Sequence, residues 1–107
     1  MYDLENIEKN IIQDSVYNGL NLCRTLQYLK EEKILSKLEG GKWGLKNLPN
    51  NFQKIVQELI DIYWNSIANN NLNNEELKEF AKYMIEKINA EINKMSEIWV
   101  FNRHQIK

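Results

Sequence analysis

The residues able to do chemistry are unevenly spread along this sequence. Residues 24–46 hold Arg24, Lys30, Lys33, Lys37, Lys42 and Lys46 against Glu31, Glu32 and Glu39, a net charge of +3. Residues 1–23 hold Asp3, Glu5, Glu8 and Asp14 against Lys9, a net charge of −3. A basic segment beside an acidic one suits an anionic ligand on one side and a cationic ligand on the other. An arginine fork grips phosphate well because its parallel N–H groups meet two oxygens at once. A carboxylate such as Asp14 is the natural partner of an ammonium or guanidinium group. The plainer reading is two solvated helix faces of unequal composition. Other chemistries fall away. One cysteine, Cys23, and one histidine, His104, cannot build a structural zinc site. No histidine is placed to activate Cys23, which reads as a small core residue. The Gly-rich phosphate loops and the G-x-S-x-G nucleophile turn are absent from the sequence.

The elements that must position these residues are helical. Leu4, Ile7, Ile11 and Ile12 follow the i, i+3, i+7, i+8 spacing of a first helix. Asp14-Ser15 is placed to cap a second, with Val16, Leu20, Cys23, Leu26 and Leu29 on its apolar face and an end near Glu32. Ser36 and Glu39 form the S-x-x-E of a capping box, opening a short third helix that carries Trp43 and Leu45 and stops before Pro49. Gly40-Gly41 weakens that helix by about 1 kcal/mol per glycine. If the second and third helices form an antiparallel hairpin, Arg24 lies roughly 12 Å from its turn, and Arg24 and Lys37 meet only if the connection folds back tightly. A fourth helix follows the Pro49-Asn50-Asn51 turn, with Phe52, Ile55, Val56, Leu59, Ile60, Ile62 and Tyr63. The asparagines at 69–74 mark a loop. A long fifth helix runs from near Asn74 to about residue 99. Its buried stripe is Leu77, Phe80, Ala81, Met84, Ile85, Ile88, Ile92, Met95 and Ile98, and Glu75 and Glu76 suit its N-terminal dipole.

The chain of 107 residues makes one domain, with 43% hydrophobic and 27% charged residues as in ordinary globular proteins. Four glycines and one proline are too few for an all-β fold rich in turns. The reading is all-α: an up-and-down bundle of about five helices. A net charge of −1 argues against a nucleic-acid partner. No apolar run approaches the roughly 20 residues of a membrane span, and the polar, acidic N-terminus is unlike a signal peptide. A lone cysteine fits a reducing, cytoplasmic setting.

Three linked stretches carry a resemblance. They are Tyr17-Asn18-Gly19-Leu20-Asn21-Leu22-Cys23-Arg24-Thr25-Leu26, then Lys33-Ile34-Leu35-Ser36-Lys37-Leu38-Glu39-Gly40-Gly41-Lys42-Trp43-Gly44-Leu45, then Asn47-Leu48-Pro49. Together with the Tyr63 region and Glu79-Phe80-Ala81-Lys82-Tyr83, they resemble the C-terminal helical domain of the aminoglycoside adenylyltransferases that modify streptomycin and spectinomycin. The resemblance covers roughly residues 10–92. In that family a nucleotidyltransferase domain supplies a Gly-Ser turn, paired magnesium-binding aspartates and a glutamate base, and the helical domain closes over the cleft. This sequence contains no Gly-Ser dipeptide and no Asp-x-Asp. The expectation is a solitary or truncated helical domain with no catalytic residues and no metal ligands of its own.

What the resemblance implies for single residues is specific. Arg24 and Lys37 match the family's phosphate-contacting arginine and lysine, and Tyr63 a tyrosine bordering the nucleotide. Asp14 matches an aspartate that holds the cationic drug, in competition with its role as a cap. Tyr17 and Trp43 join the substrate side, although Trp43 reads more readily as a packing anchor than as a ligand platform. Asn10 stands where drug-modifying members tend to be acidic, which counts against streptomycin as the drug. The implied function is that of a nucleotide- and substrate-closing domain, inactive alone. ATP, Mg2+ and an aminoglycoside are then the ligands of the complete enzyme, with a separate nucleotidyltransferase domain as partner. The alternative is a stand-alone helical interaction protein, a homodimer, because a face cut from its partner tends to pair.

Overall fold

A computed structural model describes residues 4–33, 36–65 and 72–106. Five helices follow in order: α1 (Leu4–Gln13), α2 (Ser15–Glu31), α3 (Lys37–Asn47), α4 (Asn50–Asn65) and α5 (Asn74–Ile106). Among the described residues there is no strand, and the fold is the expected all-α bundle. The side chains of Leu4, Ile7 and Ile98, and the turn at 66–71, lie outside the described residues.

Local chemistry explains three of the helix ends. At α3 the capping box forms as read: the Glu39 N–H donates to Ser36 Oγ at 3.2 Å, and the Ser36 N–H donates to Glu39 Oε1 at 3.2 Å. Asn73 caps α5, its Oδ1 accepting from the N–H groups of Glu75 (2.9 Å) and Glu76 (3.1 Å). α2 ends on Glu32 in the left-handed region at φ 57°, and its N–H bonds to Tyr28 O at 2.7 Å.

The cap read at Asp14 needs correction. Asp14 holds the N-cap position of α2 but makes no side-chain cap bond. Its ψ of 70° is far from the 166° of Ser36, the extended geometry that aims a cap side chain at the first turn. The α1–α2 junction is instead tied by Asn18, whose amide donates to the carbonyls of Asn10 (3.0 Å) and Asp14 (2.9 Å).

The core takes Leu20, Leu22, Cys23 and Leu26 from α2, Phe52, Ile55, Val56 and Leu59 from α4, and Leu77, Phe80, Met84 and Ile88 from α5. Ile11 of α1 closes it. The α5 stripe stays buried to Ile88, is half-covered at Ile92, and at Met95 is 50% exposed, so it ends earlier than its spacing implied. The reason is length. Thirty-three residues span about 50 Å, whereas the molecule is 56 Å long but only 26 × 21 Å across. The other helices are 10–17 residues and cannot cover all of it.

Candidate functional site

The site is organised by the crossing of α2 and α3. A methyl group built on Gly40 would lie 2.8 Å from Arg24 Cα and 2.9 Å from its Cβ and N, so the two backbones touch there. Only a residue without Cβ permits that approach. On either side of the crossing the contacts advance in the same order along both helices. Lys37 lies over the Tyr17 ring, Gly40 on Arg24, and the Trp43 indole N–H donates to Glu31 Oε2 at 2.7 Å. α3 therefore crosses α2 with the same sense and does not return beside it as an antiparallel hairpin. This brings Lys37 within one α3 turn of Gly40, on the face that meets Arg24.

The Lys37 ammonium sits 4.6 Å from the centroid of the Tyr17 ring, a cation–π contact that fixes a side chain otherwise free to roam. Arg24 is half-buried at the crossing. Neither Arg24 nor Lys37 forms an ion pair among the described residues. Tyr17 and Arg24 are seven residues apart and share one face of α2. Asp14 is exposed one turn before Tyr17, with its carboxylate released from capping.

α4 brings Tyr63 to the same end. Val56 approaches Gly44 and Ile60 approaches Gly41, so α3 and α4 run antiparallel. One further turn on each helix sets Tyr63 and Trp64 beside the start of α3. Leu38, Lys42, Ile60, Asp61 and Trp64 line a cleft of about 240 Å3 there. Tyr17 is 53% exposed, Tyr63 47% and Trp64 69%. Trp64 was not singled out from sequence. Its signal is position: it follows Ile60 by four residues, so it continues the edge of the α4 stripe past the point where the stripe is covered.

Trp43 goes elsewhere. Its indole faces the end of α2, bonded to Glu31, and it lies against the core at 9% exposure. Asp14, Tyr17 and Arg24 thus follow one another along α2, with Lys37 at Tyr17, while Trp43 lies at the far end of α2. Cys23 is fully buried, and burial pushes its thiol up to about 12. It packs beneath Gly44 as a core residue and is not a nucleophile at neutral pH.

The family model for the aminoglycoside adenylyltransferase C-terminal domain matches residues 1–87, and the chain belongs to that family. No curated protein and no solved structure matched it. Among the described residues no three His, Cys, Asp or Glu side chains converge to hold a metal ion, and no helix is long and apolar enough to cross a membrane.

Proposed function

We propose that this domain binds the phosphates of ATP along the α2–α3 seam and closes over an aminoglycoside during AMP transfer. The nucleotidyltransferase domain that performs the chemistry comes from outside these 107 residues. The observation that carries the reading is the pair Arg24 and Lys37, set on one helix crossing with no carboxylate committed to either among the described residues. Like charges on one seam repel by about 1 kcal/mol or less in water. A phosphate chain between them turns that repulsion into attraction. Arg24 supplies the fork, Lys37 a point charge steadied by the Tyr17 ring, and Tyr63 borders the nucleotide. Asp14 offers its exposed carboxylate to an ammonium group of the drug.

We assign magnesium to the other domain: among the described residues no three His, Cys, Asp or Glu side chains converge, and the sequence has no Asp-x-Asp pair. Metal and base therefore belong to the other domain, and the chain alone does not adenylylate. Exposed Tyr17, Tyr63 and Trp64 are the surface that domain would cover.

The test is titration of ATP into the isotopically labelled chain. Amide shifts should concentrate around Arg24, Lys37 and Tyr63, weaken with salt, and fall several-fold in Arg24→Ala. Equal responses from wild type and variant would refute the assignment, as would AMP transfer to streptomycin by the purified chain. The exposed aromatics also fit the second reading, an interaction protein that pairs with itself. A stable dimer in sedimentation, with no response to ATP, would select it.

A further inference from the structure

We propose that a second cleft, between α2, α3 and α5, binds a small planar aromatic carboxylate. It shares no lining residue with the nucleotide seam: Lys30 lies six residues beyond Arg24 on α2, about 9 Å along the axis. The cleft has a volume of about 200 Å3. Buried Leu26 and Leu48 form its floor, Trp43 and Tyr83 its aromatic sides, and exposed Lys30 and Lys87 its rim. A cavity of about 150 Å3 accommodates benzene, so one ring with a carboxylate fits, and a nucleotide does not.

The sides are held in place before any ligand arrives. The Trp43 indole is tied to Glu31 at 2.7 Å, and the Asn47 amide donates to the Trp43 carbonyl at 2.9 Å. Tyr83 packs on Phe52 with ring centroids 4.8 Å apart. A ligand entering such a site loses less to ordering than one that must assemble it.

The rim selects charge. Lys87 lies over the Tyr83 ring, 5.5 Å from its centroid, and forms no ion pair among the described residues. Lys30 shares its charge with Glu91 at 3.2 Å. The Glu31 carboxylate accepts the indole N–H and keeps its charge, but neither it nor Glu91 lines the cleft. A cationic drug would meet two ammonium groups here, whereas an aromatic acid places its ring between Trp43 and Tyr83 and its carboxylate toward Lys87. The aromatic sides supply affinity and Lys87 supplies the preference for an anion.

The experiment titrates benzoate, and separately its neutral isostere benzamide, into the labelled chain. The probe is the Trp43 indole N–H signal, assigned by its loss in Trp43→Phe. Benzoate should move it saturably in the millimolar range, benzamide should bind several-fold more weakly, and Lys87→Gln should weaken benzoate several-fold. Lys87 is exposed, so circular dichroism of the variant should match wild type. ATP shifts near Arg24 should be the same in Lys87→Gln, which separates this site from the nucleotide reading. A non-saturating response, equal binding of benzamide, or an unaffected Lys87→Gln would each overturn the proposal.

Discussion

Replacing Gly40 by alanine tests whether the α2–α3 crossing determines both stability and site. On helix propensity alone the change is favourable by about 1 kcal/mol. The structure opposes it, because the new methyl would sit 2.8–2.9 Å from three atoms of Arg24, two of them backbone. Neither helix can relieve that by turning a side chain, so α3 must lift from α2 by several tenths of an ångström over its contact. Overpacking of this kind costs about 1–3 kcal/mol. After the propensity gain, a net loss of about 1–2 kcal/mol is expected near the upper part of that range. Gly44→Ala is the internal control. There the methyl meets Cys23 Sγ at 3.1 Å and Leu48 Cδ1 at 3.2 Å, both side-chain ends that can give. Urea unfolding followed by circular dichroism should place Gly40→Ala about 1 M below wild type, for a slope of 1–3 kcal/mol per molar, with Gly44→Ala much closer to wild type. A Gly40→Ala protein at least as stable as wild type would refute the close crossing, and with it the placement of Lys37 beside Arg24.

Two further outcomes follow from protonation. Cys23 keeps its proton to about pH 12 in the fold but loses it from about 9 when unfolded. Its contribution to stability therefore falls as pH rises between those values, and iodoacetamide should label Cys23 at pH 8 only when denaturant opens the core. The Lys30 ammonium, bonded to Glu91 at 3.2 Å, holds that carboxyl below its ordinary value, with Lys94 adding to the effect. The resulting stabilisation is present above the unfolded carboxyl pKa and is lost as pH falls through the lower folded value. Lys30→Ala should cost about 0.2–1 kcal/mol at neutral pH, as exposed pairs do, and the cost should shrink in acid. An equal cost at pH 7 and pH 2.5 would refute it.

Helix positions were legible because their causes are local. The Ser36–Glu39 box, the stop at Pro49 and the periodicity of Phe52, Ile55, Val56 and Leu59 each act within a turn or two of chain. What was not legible depends on what lies across from a residue. Gly40-Gly41 reads as a weak spot in a helix, because propensity knows nothing of Arg24 on the other side. The α5 stripe reads as buried through Ile98, because spacing records which face is apolar and not where covering helices end. Asp14 reads as a cap from its type, whereas its ψ of 70° decides otherwise. Trp43 reads as a packing anchor or a substrate-side residue, and the carboxylate that takes its indole N–H, Glu31, lies across on α2.

The same crossing explains how a short helix with three glycines serves a ligand site. α3 has only 11 residues, and little of its surface is large and apolar. Its stability rests on close backbone contact with α2 and on the capping box at Ser36. The box fixes the first turn, and Lys37 is the first residue of that turn. The Gly40 contact fixes the second, directly over Arg24. The features that hold α3 in place therefore also fix where the Lys37 and Arg24 backbones lie along the seam. The crossing is anchored by Gly40, Gly41 and Gly44, which pack against Arg24, Leu20, Ile60 and Cys23. In the nucleotide reading, a phosphate ligand would add attraction at the seam and tighten it. ATP should then stabilise the wild-type fold more than the Arg24→Ala fold, even though removing Arg24 relieves repulsion in the free protein.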